Sequence, residues 1–183
     1  MSAISPLPNA LVLDTSFLRT LGGPGHDRYQ AFINHVKSNG IQLYLSQRVC
    51  EEIEEQQGWI SADWLHKAQS ESWISTAQPV QEGVSVYDGP TAAVVMDRIQ
   101  QRLADIEHVP PDELRKTDAG LAGTAIMLLA STAYDSIGIV MDDRNAEATI
   151  RAILSNTYYE DYISVLTVWD VIELVEADGY PED

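Results

Sequence analysis

With one cysteine, Cys50, the chain cannot close an intramolecular disulfide or build a multi-cysteine zinc site. Beside Val49 in a stretch of helical spacing, that thiol reads as a small packing residue. No apolar run reaches the length of a membrane span, because the richest stretch, from Leu121 to Ala133, is interrupted by Gly123 and Thr124. The N-terminus carries neither a basic segment nor an apolar signal-peptide core. The expectation is a cytoplasmic protein with no membrane partner. Repeats, low-complexity tracts and linkers are absent, and the four histidines, His26, His35, His66 and His108, show no metal-ligand spacing and read as surface or helix residues. Basic residues are scarce too. Eleven Lys and Arg stand against 28 Asp and Glu, for a formal net charge of −17, which excludes a uniformly cationic nucleic-acid-binding surface.

The 183 residues are 45% hydrophobic, enough for one globular domain over 1–183 with a substantial core. Two short apolar runs stop abruptly at acids: Ala10-Leu11-Val12-Leu13 at Asp14-Thr15-Ser16, and Ile137-Gly138-Ile139-Val140-Met141 at Asp142-Asp143. Both read as buried strands with carboxylates at their carboxyl ends. In open α/β sheets ligands bind beyond those ends, so acids far apart along the chain can be neighbours in space. Two more acids sit on helical patterns. Ser46 is the expected N-cap of a helix whose buried stripe is marked by Val49 and Ile53, and at roughly 100° per residue Glu52 lies beside that stripe while Glu51 lies about opposite. Asp118 falls in the first turn of an apolar helix, in line with Ala122, Ala125 and Leu129.

Taken singly, each acid has an ordinary explanation. An Asp in a first helical turn complements the dipole, an Asp after a strand starts a turn, and a run of Glu is a solvated face. Jointly they ask for more, since carboxylates gathered and partly buried repel one another until protons or a cation neutralise them. A hard divalent ion with oxygen ligands is the simplest solution.

The segments Leu11 to Leu18, Ser46 to Ile53, Thr117 to Ala130 and Ile139 to Arg144 resemble, in order and approximate spacing, the four signature blocks of the PIN-domain family. The resemblance implies a single three-layer α/β/α domain with a central parallel sheet, Mg²⁺ or Mn²⁺ in an acidic pocket, and hydrolysis of RNA phosphodiester bonds. Carried over block by block, the catalytic and metal-binding acids are Asp14, Glu52, Asp118 and Asp143, with Asp142 as an alternate or auxiliary ligand. Thr15 and Ser16 match the small hydroxyl residues that follow the first acid, and with Arg144 they are the expected substrate contacts. Many such domains are toxins of prokaryotic toxin–antitoxin pairs and others process RNA, so the implied partners are RNA, an antitoxin or other protein, and a second copy in a homodimer. Two departures stand out. Met141 replaces the Thr or Ser common two residues before the fourth acid, and the stretch 53–117 is long, with room for an extra helix or a substrate-contacting arm.

The acid-rich, lysine-poor balance resembles that of proteins from salt-loaded cytoplasms, as in haloarchaea, where salt screens surface charge beyond a few ångströms. Arg19, Arg48, Arg115, Lys116 and Arg144 lie within a few residues of the acidic blocks, suited to phosphate contact or to ordinary ion pairs. Two other functional classes are set against the nuclease. One is a catalytically weak or inactive PIN-like binding or assembly module, which the acidic surface, Met141 and the long middle stretch favour. The other is a phosphoryl-transfer domain with Asp14 as nucleophile. Ser16 stands where the phosphatase pattern needs a second Asp, and Lys116 is the last lysine where a receiver domain needs a late one, so that class is disfavoured.

Elsewhere, helices are expected over 26–38, 61–70, 91–107, 146–154 and 167–177, strands over 41–45 and 162–166, an extended stretch over 73–80 and a loop over 81–89. Strands alternating with helices predict a parallel sheet. The tail from Asp178 to Asp183 is expected to fray. Trp59, Trp64, Trp73 and Trp169 could stack nucleobases, although core or interface packing is the commoner role for so large an apolar ring.

Overall fold

Strand β1 (Ala10–Leu13) is buried at all four positions, as a strand covered on both faces must be. It belongs to a computed structural model that describes residues 7–114, 116–131 and 133–178. Strand β1 is followed at once by α1 (Thr15–Leu21), then α2 (Asp27–Ser38), β2 (Gln42–Leu45), α3 (Gln47–Glu54), α4 (Ala62–Ser70) and β3 (Ile74–Thr76). The second half runs α5 (Ala92–Glu107), α6 (Thr117–Ala130), β4 (Ile137–Met141), α7 (Arg144–Leu154), β5 (Ile163–Thr167) and α8 (Val168–Asp178).

All strand pairs are parallel and the sheet order is β3-β2-β1-β4-β5. Leucines and a valine on one side of the pleat (Leu11, Leu13, Leu43, Leu45, Val140) pack under α1 to α4 and α8. The alternate positions (Ala10, Val12, Ile137, Ile139, Met141, Val165) pack under α5, α6 and α7. This is a three-layer α/β/α domain, and period-two alternation explains how one sheet feeds two cores. Register places Leu13 opposite both Leu45 and Val140, so β1 and β2 end level and β4 runs one residue further. From β1 the chain builds outward through β2 and β3, then returns to the other side of β1 for β4. The order therefore reverses between β1 and β4, where such sheets open a crevice at their carboxyl ends.

Caps fall where side-chain chemistry expects them. The hydroxyls of Ser46, Ser61 and Thr91 accept from backbone N–H groups three residues on, and Thr167 and Asp170 bond each other's backbone N–H at the start of α8. Helix α1 was not expected from sequence: its buried stripe is only Phe17, Leu18 and Leu21, too short to register as a period. The extended stretch expected over 73–80 narrows to Ile74–Thr76 as a strand. Among the described residues between 53 and 117, α4, β3 and α5 are built into the sheet and both cores. Trp64 and Trp73 are buried to 8% and 7% exposure and ring-packed on each other, while Trp169 is half exposed. His35, expected at the surface or in a helix, lies in α2 and is buried. Met141 is fully buried in the α5–α7 core. Arg115 and the tail beyond Asp178 lie outside the described residues. None of the described helices is long and apolar enough to cross a membrane.

Candidate functional site

The carboxyl ends of β1 and β4 meet directly: the backbone N–H of Asp14 donates to the Val140 carbonyl at 3.1 Å. Asp14 is thus the N-cap residue of α1, partly buried, at the reversal point of the sheet. Its Oδ2 accepts a 2.6 Å hydrogen bond from the Ser16 hydroxyl. That same hydroxyl accepts from the backbone N–H of Asp142 at 3.1 Å, which ties the turn after β4 to the first turn of α1.

Glu52 approaches from the other elements. Helix α3 puts it next to the buried Val49 and Ile53, half-buried and facing inward, while Glu51 is exposed. Its two oxygens are divided between two threonines. Oε2 accepts from Thr15 at 3.2 Å and Oε1 from Thr117 at 3.1 Å. Both hydroxyls are buried, and each belongs to the residue adjoining another acid, Asp14 in the first case and Asp118 in the second. One carboxylate therefore pins the start of α1 on one face of the sheet to the start of α6 on the other.

Asp118 sits partly buried in the first turn of α6. Burial, then the charges of Asp14, Asp143, Glu107 and Glu52, push its carboxyl up from an ordinary 3.8 to about 7. Within this one electrostatic neighbourhood are all four acids marked by the sequence blocks. Asp142 and Asp143 diverge. Asp143 caps α7, its Oδ1 accepting from Asn145 and Ala146 N–H at 2.9 and 3.0 Å, and its charge reaches Asp118. Asp142 turns to the outer side of α1, where Thr20 donates to its Oδ2 at 3.0 Å. Arg144 is exposed in the first turn of α7.

A divalent cation suits this group in donor chemistry and in charge. The donors are all carboxylate oxygens, and a carboxyl whose ionisation is opposed by burial and then by its acidic neighbours is the kind of group a cation would relieve. Asp14, Asp118, Asp143 and Glu52 could hold it. As placed, however, no three His, Cys, Asp or Glu side chains among the described residues stand close enough together to grip an ion. The acids form a shared field, and a coordination sphere would need side-chain rotation or bridging water.

Sequence reasoning assigned Thr15 and Ser16 by their place after the first acid; in the fold their hydroxyls are engaged with Glu52 and Asp14. It missed Thr117 and Thr20, which also bond acids of the group. For Thr117 a signal existed, a hydroxyl residue directly before the third acid, but only the fold shows what it faces. The sequence model of one protein family, described as the Halobacterial PIN domain, matches residues 7–179. No curated protein matches the chain.

Proposed function

The chain belongs to the PIN-domain family, whose fold is of the nuclease type, and from that membership we propose that it is a divalent-metal-dependent endoribonuclease hydrolysing RNA phosphodiester bonds. The observation that carries this reading is the convergence beyond the carboxyl ends of β1 and β4, where Glu52 bonds Thr15 and Thr117, the residues adjoining Asp14 and Asp118, and where burial and then the charges of Asp14, Asp143, Glu107 and Glu52 raise the Asp118 carboxyl. Asp14, Asp118 and Asp143 would hold Mg²⁺ or Mn²⁺, with Glu52 ligating directly or through water and Asp142 as an auxiliary. When bound, such an ion polarises water and stabilises charge on the nonbridging and leaving oxygens of the phosphate. Glu52 orients the flanks of Asp14 and Asp118 through Thr15 and Thr117. Ser16 holds the Asp14 carboxylate by a hydrogen bond, and exposed Arg144 is available to a phosphate oxygen of the substrate. The biological role we propose is either the toxin of a toxin–antitoxin pair or an RNA-processing nuclease, in both cases a homodimer, with an antitoxin or other protein as its partner.

Asp14→Asn keeps size and removes charge, so it is expected to abolish Mn²⁺-dependent cleavage of RNA while the circular-dichroism spectrum and melting profile stay native. Cleavage retained by that variant overturns the assignment. The separation of the carboxylates favours a second reading, an inactive binding or assembly module. Calorimetric titration with Mn²⁺ discriminates: a saturable site that Asp14→Asn removes supports the nuclease, and no such site supports the module.

A further inference from the structure

A chain of net charge −17 that handles RNA must offer cations somewhere along the strand's path, because phosphate contacts supply most of the affinity for nucleic acid. One cleft answers this need. It has a volume of about 460 Å³ and is walled by the end of α1 and the start of α2, including Arg19, Thr20, His26, Asp27 and Arg28. Its lining carries two guanidiniums against one carboxylate, the reverse of the chain's overall balance. Neither arginine is spent on an acid: among the described residues the ion pairs join Lys37 to Glu71 and Arg151 to Glu147. Arg28 instead lies over the half-exposed Trp169 ring, 5.3 Å from its centroid. The His26 ring packs so closely on Gly22, which turns with φ +89°, that a Cβ there would stand 3.0 Å from it. The imidazole thereby lines the same cleft as the two arginines.

Position links the cleft to the acidic site. Thr20 is in its wall, and the Thr20 hydroxyl holds Asp142, the neighbour of Asp143. Helix α1 spans the distance, with Asp14 capping its first turn and Arg19 in its last. Resting on the nuclease reading, we propose that this cleft binds a phosphodiester of single-stranded RNA flanking the scissile bond, with Arg19 and Arg28 as the phosphate ligands. Exposed guanidiniums without carboxylate partners match that anion in charge and in forked geometry.

The test uses the full chain carrying Asp14→Asn and a fluorescein-labelled, unstructured 12-nucleotide RNA, with binding followed by anisotropy over a range of salt concentrations. Adding Arg19→Ala with Arg28→Ala is expected to weaken binding at least about tenfold and to flatten the slope of log K against log salt by about 1.4, the value for two lost single-strand phosphate contacts. Arg98→Ala with Arg102→Ala, an equal charge change on exposed residues of α5, is expected to leave both nearly unchanged. Equal losses in the two double variants, or none in the first, overturn the proposal. Cleavage by the parent chain beside unaltered binding in the Arg19, Arg28 variant sinks the cleft and spares the nuclease. A parent chain that does not cleave, yet binds RNA through these arginines, sinks the nuclease and spares the cleft.

Discussion

Glu52 and Thr117 are joined across the sheet by a 3.1 Å hydrogen bond between residues 65 positions apart, with the threonine hydroxyl buried. The bond matters for both stability and chemistry, because the other oxygen of Glu52 is held by Thr15.

Removing one arm of this clamp separates those roles. Thr117→Val is expected to cost about 1 kcal/mol of stability in urea unfolding and Glu52→Ala about 1–3 kcal/mol, since the latter strands two buried hydroxyls. Thr117→Ser should restore both stability and RNA cleavage. A Thr117→Val protein that unfolds and cleaves like the parent would show that the clamp does not support the site.

The raised Asp118 carboxyl makes metal-free stability depend on pH. Its folded pKa of about 7 lies above the ordinary 3.8, so the folded state binds the extra proton between those values. The associated stability is fully present below about pH 4 and is lost as pH rises through 7. In EDTA, Asp118→Asn should therefore melt near the parent's temperature at pH 4 and roughly a few degrees higher at pH 8. An unchanged difference between the two pH values counts against the field we describe.

Asp142 and Asp143 should part under mutation. Asp143→Ala removes the cap of α7 and is expected to lower stability by about 1 kcal/mol, whereas Asp143→Asn keeps an acceptor and most of that stability. Both should lose metal-dependent cleavage. Asp142→Asn can still accept from Thr20 and is expected to retain most activity. Kinetics of the three variants under saturating Mn²⁺ give the comparison.

At the far side of the α5–α7 core, fully buried Tyr159 accepts from Val86 N–H at 3.1 Å and donates to the Pro90 carbonyl at 2.8 Å. Tyr159→Phe leaves both without that partner and is expected to cost about 1–3 kcal/mol, with faster amide exchange in the loop before α5. Because this loop meets the opposite end of the fold from Asp14, cleavage per folded molecule should be unchanged.

Local patterns carried much of the architecture. The runs ending at Asp14 and Asp142 read as strands because each is apolar and stops sharply, and Ser46, Ser61 and Thr167 announced helix starts through their capping chemistry. The inward face of Glu52 followed from its angle to Val49 and Ile53. The seven residues of α1 escaped notice because fewer than two turns give no period to detect, and burial of Trp64 and Trp73 depended on helices that had yet to be placed around them.

By itself the chain's order of residues determined the alternation of strands and helices and put acids after β1 and β4 and in the first turn of α6, because those features arise from neighbours a few positions apart. Only the tertiary structure decided that Glu52 would clasp Thr15 and Thr117, that Asp142 and Asp143 would face apart, and that Arg19 and Arg28 would share a cleft. Such relationships come from the reversal of strand order at β1 and from packing on two faces, and contacts across 37, 65 or 122 residues leave no periodic trace in the sequence.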